Sequence, residues 1–298
     1  MRHLDLFSGI GGFALAARNV GWETVAFCEI EPYAQQVLAK HWPGVPIYED
    51  VKDVRYDEET VRAGCVTDGT TAVGPIDIIT GGFPCQDISH AGKQAGIDGA
   101  RSGLWSELCR IIGEVRPRYA VLENVAALLS GDRGRWFQRV LGDLAEIGYD
   151  CEWHCIPASA VGAPHQRDRV WIIAYTDSNG TSNRGNRRAL SDQHRIGTAQ
   201  EQGRNEQQYG VGGNNKVADT HQPRLERRLR EVLSERTRER AAGKSSDPWD
   251  GYWVTEPSVG RVANGVSNRA HRLRGLGNAI VPQVAEVIFR AIQSGGMK

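Results

Sequence analysis

Five short apolar runs recur over the first 175 residues, at 3–7, 24–27, 76–80, 119–122 and 170–175, with amphipathic stretches between them. Strands that are apolar throughout, and not alternating, are those a sheet buries on both faces. Interleaved with helical patterns, they confine the chain to the α/β class, with a doubly wound, mostly parallel sheet. No run approaches the roughly 18–20 uninterrupted apolar residues of a membrane span. The opening MRHLDLFSG lacks the basic-then-apolar pattern of a signal peptide, so a cytoplasmic protein with no membrane partner is expected. Six cysteines in 298 residues, none in a CxxC pair, fit reduced thiols better than a disulfide scaffold or a zinc ribbon.

The 36 basic and 36 acidic side chains cancel, but unevenly: residues 1–175 hold 16 basic against 23 acidic, and residues 176–298 hold 20 against 13. An anionic partner is expected to meet the second part. Residues 177–215 are rich in Asn, Gln, Gly, Ser, Thr and Arg without a sustained period, a composition that buries little core. Beyond Pro223, the residues Leu225, Leu229, Val232 and Leu233 follow i, i+4, i+7, i+8, which predicts a helix from about 224 to 241 with a solvated charged face.

The first apolar run enters DLFSGIGGF at 5–13 and then a helical pattern. Glycines at such a strand-to-helix turn let the backbone approach a ligand, and a carboxylate some 20 residues on can take a ribose hydroxyl pair. Glu29, 24 residues after Asp5, ends the second strand, and Asp50 ends a third. The pattern suits an adenosine-containing cofactor, either a nicotinamide dinucleotide or S-adenosylmethionine. GGFPCQDIS at 81–89 places Cys85 just past another strand, at the sheet edge where open α/β folds bind ligands. The cysteines at 28, 65, 109, 151 and 155 read instead as small hydrophobes. Cys151 and Cys155, around His154, are taken as alternate core positions of a strand and not as metal ligands. The run 119–122 leads into Glu123-Asn124-Val125, a carboxyl one strand from the thiol, and HQRDRVWIIA at 165–174 puts Arg167 and Arg169 at the start of a strand, on one face. Together they suit a planar polar substrate handled by a nucleophile and a proton donor.

Taken together, DLFSGIGGF, Glu29, Asp50, GGFPCQDIS, RSGLW at 101–105, ENV at 123–125, QRDR at 166–169 and GLGNAIVP at 275–282 resemble the cytosine-5 DNA methyltransferase family, in its order and spacing. The resemblance implies a Rossmann-like methyltransferase fold. Residues 1–175 plus 265–298 would form the catalytic domain, with 176–264 as a small irregular target-recognition part inserted before the C-terminal helix. It implies S-adenosylmethionine, leaving as S-adenosylhomocysteine, held by Phe7, Gly9, Ile10, Gly12, Glu29, Asp50, Val51, Pro84, Leu104, Asn278 and Ala279, and no metal. Glu29 would take the ribose and Asp50 the adenine amino group. Cys85 would be the nucleophile, Glu123 the donor to the ring nitrogen, and Arg167 and Arg169 the groups holding the base's carbonyl oxygen and a phosphate. The implied partner is double-stranded DNA, from which the base is flipped. A cognate restriction nuclease and a monomeric state follow by the same analogy. Ile30 stands where the family often has an aromatic residue over adenine. Methylation of RNA, transfer RNA in particular, would use the same residues. A non-catalytic nucleic-acid-binding module would have no need of Cys85, Glu123 and Arg167, and an oxidoreductase would leave the cysteine loop without a role.

Overall fold

The computed structural model describes residues 1–57, 60–62, 74–84, 103–176, 227, 230–235, 238 and 268–295. Cys65, Cys85, the loop 86–101 and nearly all of 176–264 lie outside these. A seven-stranded sheet runs in the order β3-β2-β1-β6-β7-β9-β8, built from β1 (Arg2–Leu6), β2 (Glu23–Cys28), β3 (Ile47–Tyr48), β6 (Ile78–Gly82), β7 (Tyr119–Val125), β8 (Asp150–Ile156) and β9 (Arg169–Tyr175). The first five in that order pair in parallel, whereas β9 is antiparallel to both its neighbours. A separate two-stranded ribbon joins β4 (Arg55–Asp57) and β5 (Thr60–Arg62). The expected α/β class and mostly parallel sheet are therefore present, and no helix among the described residues is long and apolar enough to cross a membrane.

Alternate residues of the central strands enter two different cores, as period-two geometry requires. Ile79, Ala120, Leu122, Val170 and Ile172 join one cluster, and Ile78, Tyr119, Val121, Trp171 and Ile173 the other. The first is covered by α3 (Gly103–Val115) and α5 (Arg135–Glu146). Their buried residues recur at helical spacing: Trp105, Leu108, Cys109, Ile112 and Val115 in α3, and Phe137, Val140 and Leu144 in α5. The second is covered by α1 (Gly12–Asn19) and the C-terminal helix α7 (Pro282–Gln293), whose Phe289 stacks on Trp22 at 4.4 Å. Pro282 suits the first turn of α7, where its missing N–H removes nothing. Residues 282–293 thus return to the helix that follows the first strand.

Val232 and Leu233 also pack against this second cluster, and the described residues around them are helical. The stretch placed in the recognition part by its sequence position therefore contributes apolar side chains to the sheet's cover. One expectation is met only in part, in β8. Cys151 is half-buried and packs against the first cluster, as expected, whereas Cys155 is exposed and takes no part in the core. The reason is topological: among the described residues β8 is an edge strand, paired with β9 on one side.

A buried polar chain crosses β2, β1 and β6. Thr24 Oγ1 lies 3.0 Å from His3 Nδ1, Thr80 Oγ1 lies 2.7 Å from His3 Nε2, and the Thr80 hydroxyl donates to Asp5 Oδ1 at 2.7 Å. The neutral imidazole can thus donate from one ring nitrogen and accept at the other, each facing a threonine hydroxyl. Burial pushes the His3 pKa down from 6.5 to about 3. As the pH falls through 6.5 the unfolded chain takes up a proton here that the folded chain refuses until about 3. This group alone therefore removes up to about 1.4 kcal/mol of stability per pH unit across that window. Urea midpoints measured from pH 7 down to 4 should fall more steeply for the wild type than for His3→Gln, and parallel slopes would contradict the assignment.

Candidate active site

The carboxyl ends of β1 and β6 diverge at the point where strand order reverses, which is where open α/β sheets form a ligand crevice. A cavity of about 820 Å³ opens there. Its glycine turn follows β1 directly. Phe7 and Gly9 both take left-handed backbone angles, φ 55° and 54°. Gly9 has open space where a side chain would stand, and its N–H donates to Glu29 Oε2 at 2.6 Å. Glu29, just past β2, accepts a second backbone N–H, from Glu31, on Oε1 at 2.8 Å. Burial raises its pKa, while the N–H groups of Glu31 and Gly9 pull it back. Asp50 lies two residues past β3, its Oδ1 accepting the Lys52 N–H at 2.9 Å.

Of the eleven residues expected to hold a cofactor, Phe7, Gly9, Ile10, Glu29, Asp50, Val51, Pro84, Leu104 and Asn278 line this cavity. Gly12 and Ala279 do not. A Cβ on Gly12 would stand 2.7 Å from Ile280, so this glycine serves the close packing of α1 against the returning chain. The Ala279 carbonyl is taken up by Arg167. Sequence reasoning missed Glu31, Tyr33, Glu49, Phe83, His271 and Arg274, which also line it. His271 and Arg274 belong to α6 (Arg269–Asn278), and only the return of the chain brings that helix to the cavity. Ile30 is 61% exposed and lines the wall as well.

Toward the β7–β9 side, Glu123 and Arg169 line the same space. Arg169 Nε lies 2.8 Å from Glu123 Oε1. Glu123 is buried, and burial raises its pKa against the opposing pull of Arg169 and Arg167. Gly82 pairs with Glu123 across the sheet, and a Cβ there would stand 3.2 Å from Glu123 Oε2, so the glycine keeps room beside the carboxyl. Asn124 Nδ2 donates to the Phe83 carbonyl at 3.3 Å, tying the end of β7 to the segment that leads to Pro84 and Cys85.

Arg167 departs from the expected placement. The strand begins at Arg169, and Arg167 stands before it at φ 45°, so the two do not share a strand face by alternation. Its Nη2 donates to the carbonyls of Gly277 at 2.6 Å and Ala279 at 2.7 Å. Burial, and then the charge of Arg169, lower its pKa, with Glu123 opposing. Among the described residues no group of three or more His, Cys, Asp or Glu is arranged to hold a metal ion.

The chain matches the family model of C-5 cytosine-specific DNA methylases over residues 1–255. It is 36% identical over 178 residues to the Type II methyltransferase M2.BsuMI of Bacillus subtilis strain 168, covering 58% of this chain and 42% of that protein. It is 32% identical over 175 residues to the Type II methyltransferase M.HhaI of Haemophilus parahaemolyticus, covering 59% and 49%. The chain thus spans less than half the length of either relative. A solved E. coli structure described as a prophage-encoded DNA modification methyltransferase superposes with a TM-score of 0.57 at 19% identity, covering 99% of both chains, which establishes a common fold. With described residues of its motifs lining one cavity at the switch point of the sheet, and the family model matched over residues 1–255, this chain belongs to the C-5 cytosine-specific DNA methylase family.

Proposed function

We propose that the protein transfers a methyl group from S-adenosylmethionine to carbon 5 of cytosine in double-stranded DNA. The observation that carries this reading is a single cavity with the Glu29 carboxylate and Asp50 beside the β2 and β3 ends and the Glu123–Arg169 pair beside the β7 and β9 ends. The donor set fits the cofactor. Glu29, Glu31, Glu49 and Asp50 favour a cationic sulfonium and can accept from ribose and adenine. Phe7, Ile30, Val51, Pro84 and Leu104 offer apolar contact to a flat ring. When bound, the cofactor supplies an electrophilic methyl on a positively charged sulfur.

The protein's own residues prepare the base. Carbon 5 of cytosine is a weak nucleophile until the Cys85 thiolate adds to carbon 6 and converts the ring into an enamine. Glu123 donates to ring nitrogen 3 as that charge develops, and Arg169 holds the carboxyl in place and faces the base's carbonyl oxygen. Carbon 6 is unreachable within a stacked duplex, so the base is turned out of it. After methyl transfer a water molecule takes the carbon 5 proton, Cys85 leaves as the thiolate, and nitrogen 3 returns its proton to Glu123, which restores the ring. The basic segment within 176–264 supplies contacts to the DNA.

Glu29→Ala is expected to weaken S-adenosylhomocysteine binding by about 10- to 100-fold, the scale of hydrogen bonds to a charged group. Calorimetry without DNA checks this, and unchanged affinity removes Glu29 from the site. The reaction itself is tested by nucleoside mass spectrometry after incubation with labelled S-adenosylmethionine and mixed unmethylated DNA and RNA. Label in 5-methyldeoxycytidine is the expected result. Label confined to ribocytidine would transfer the assignment to RNA, and label in neither would refute catalysis by this chain alone.

A further inference from the structure

His271, Arg274, Gly275, Gly277 and Asn278 of α6 line the cavity, yet no residue of this helix is buried. Apolar burial therefore does little to hold it in place. Its attachments include Arg274 Nη1 at 3.5 Å from Glu31 Oε1, the His271 ring stacked on Tyr33 at 5.6 Å, and the reach of Arg167 to its last turn. The last of these is the closest. One guanidinium nitrogen donates to two carbonyls, Gly277 and Ala279, which flank Asn278.

Carbonyls at a helix C-terminus lack intrahelical partners and carry the negative end of the helix dipole. A half-buried guanidinium matches them in charge and in donor number. The left-handed backbone at Arg167 points the same way, since a non-glycine residue keeps such a conformation only where surrounding contacts offset its cost. Two residues further on, Arg169 pairs with Glu123. The short segment 167–169 therefore touches the cofactor wall through one arginine and the substrate acid through the other.

We propose that Arg167 is a positioning residue for the cofactor end of the cavity: its guanidinium holds the 277–279 turn, and through it Asn278, against the catalytic core. The inference rests on reading the cavity as an S-adenosylmethionine site, and it departs from the contact with base and phosphate that the family resemblance implies for this arginine. Cofactor affinity is then set in part by a residue that does not touch the cofactor.

The test combines calorimetry with S-adenosylhomocysteine in the absence of nucleic acid and hydrogen exchange of the unliganded protein. Arg167→Ala should weaken binding by about tenfold or more, as expected for losing charge-assisted hydrogen bonds. It should also speed exchange at the Ala279 amide, which donates to the Gly275 carbonyl at 3.0 Å. Arg167→Lys retains charge and three donors and should recover most of the affinity. In an Asn278→Ala background, Arg167→Ala should add little, because both changes remove the same contact. Additive losses, or an Arg167→Ala variant that binds S-adenosylhomocysteine within about twofold of wild type while its KM for DNA rises, overturn the proposal. If Arg167→Ala does not fold, Arg167→Gln takes its place: weaker S-adenosylhomocysteine binding and faster Ala279 exchange, both restored in Arg167→Lys, support the clamp, and a loss confined to DNA binding refutes it. A wild-type protein that binds no S-adenosylhomocysteine sinks the cofactor reading itself. The exchange data still judge the clamp in that case.

Discussion

Cys85→Ala should reduce methyl transfer by a factor on the order of 10⁴ or more, the scale seen when a covalent nucleophile is removed. S-adenosylhomocysteine binding should stay within about twofold of wild type. The expectation follows from the chemistry of the base, since without addition at carbon 6 the ring has no means of attacking an electrophilic methyl. A second readout does not depend on turnover. DNA carrying 5-fluorocytosine lacks the proton whose removal releases the enzyme, so the wild type should form a denaturation-resistant adduct with it and Cys85→Ala should not. Retained transfer by the variant would rule out covalent catalysis through this thiol. Loss of cofactor binding together with activity would mean that the substitution disturbs the end of β6, where Pro84 lines the cavity.

Glu123→Gln carries the next largest effect. The side chain is buried, and burial lifts its pKa above the usual carboxylate range against the pull of Arg169 and Arg167. An acid so placed keeps its proton to a higher pH than an exposed one, as a donor to a ring nitrogen requires. Gln fills the same volume and donates an N–H, but it cannot transfer a proton. kcat should therefore fall by roughly 10²–10⁴, the range for losing a general acid, with cofactor affinity unchanged. The sign of the pH dependence follows as well. Donation needs the protonated form, so the wild-type kcat should decline as pH rises through the raised pKa, and the variant should lose that limb. A variant with the wild-type profile would show that Glu123 does not deliver the proton.

Features written in contiguous residues were legible without coordinates. Continuous apolar strands announced a sheet covered on both faces, and DLFSGIGGF announced the turn where Gly9 meets Glu29, because strand period and glycine conformation are local properties. Other features depend on where distant segments meet. Gly12 reads in sequence as part of a ligand turn, and only the fold shows that Ile280, from the far end of the chain, packs against it. Cys151 and Cys155 alternate with polar residues as core positions would, but an edge strand leaves them partly uncovered. Val232 and Leu233 read as one stripe of a helix whose partner only the packed sheet reveals.

Class of fold, order of the motifs and the residue types able to carry the chemistry are all readable along the chain, because each is encoded over a few turns of helix or one strand. Which arginine meets which partner emerges only once the chain is folded. Arg167 and Arg169 are two residues apart, yet one caps carbonyls 110 and 112 positions away and the other holds Glu123. Which carbonyl or carboxylate a long, flexible side chain reaches is settled by the folding of the whole chain and not by its neighbours in sequence.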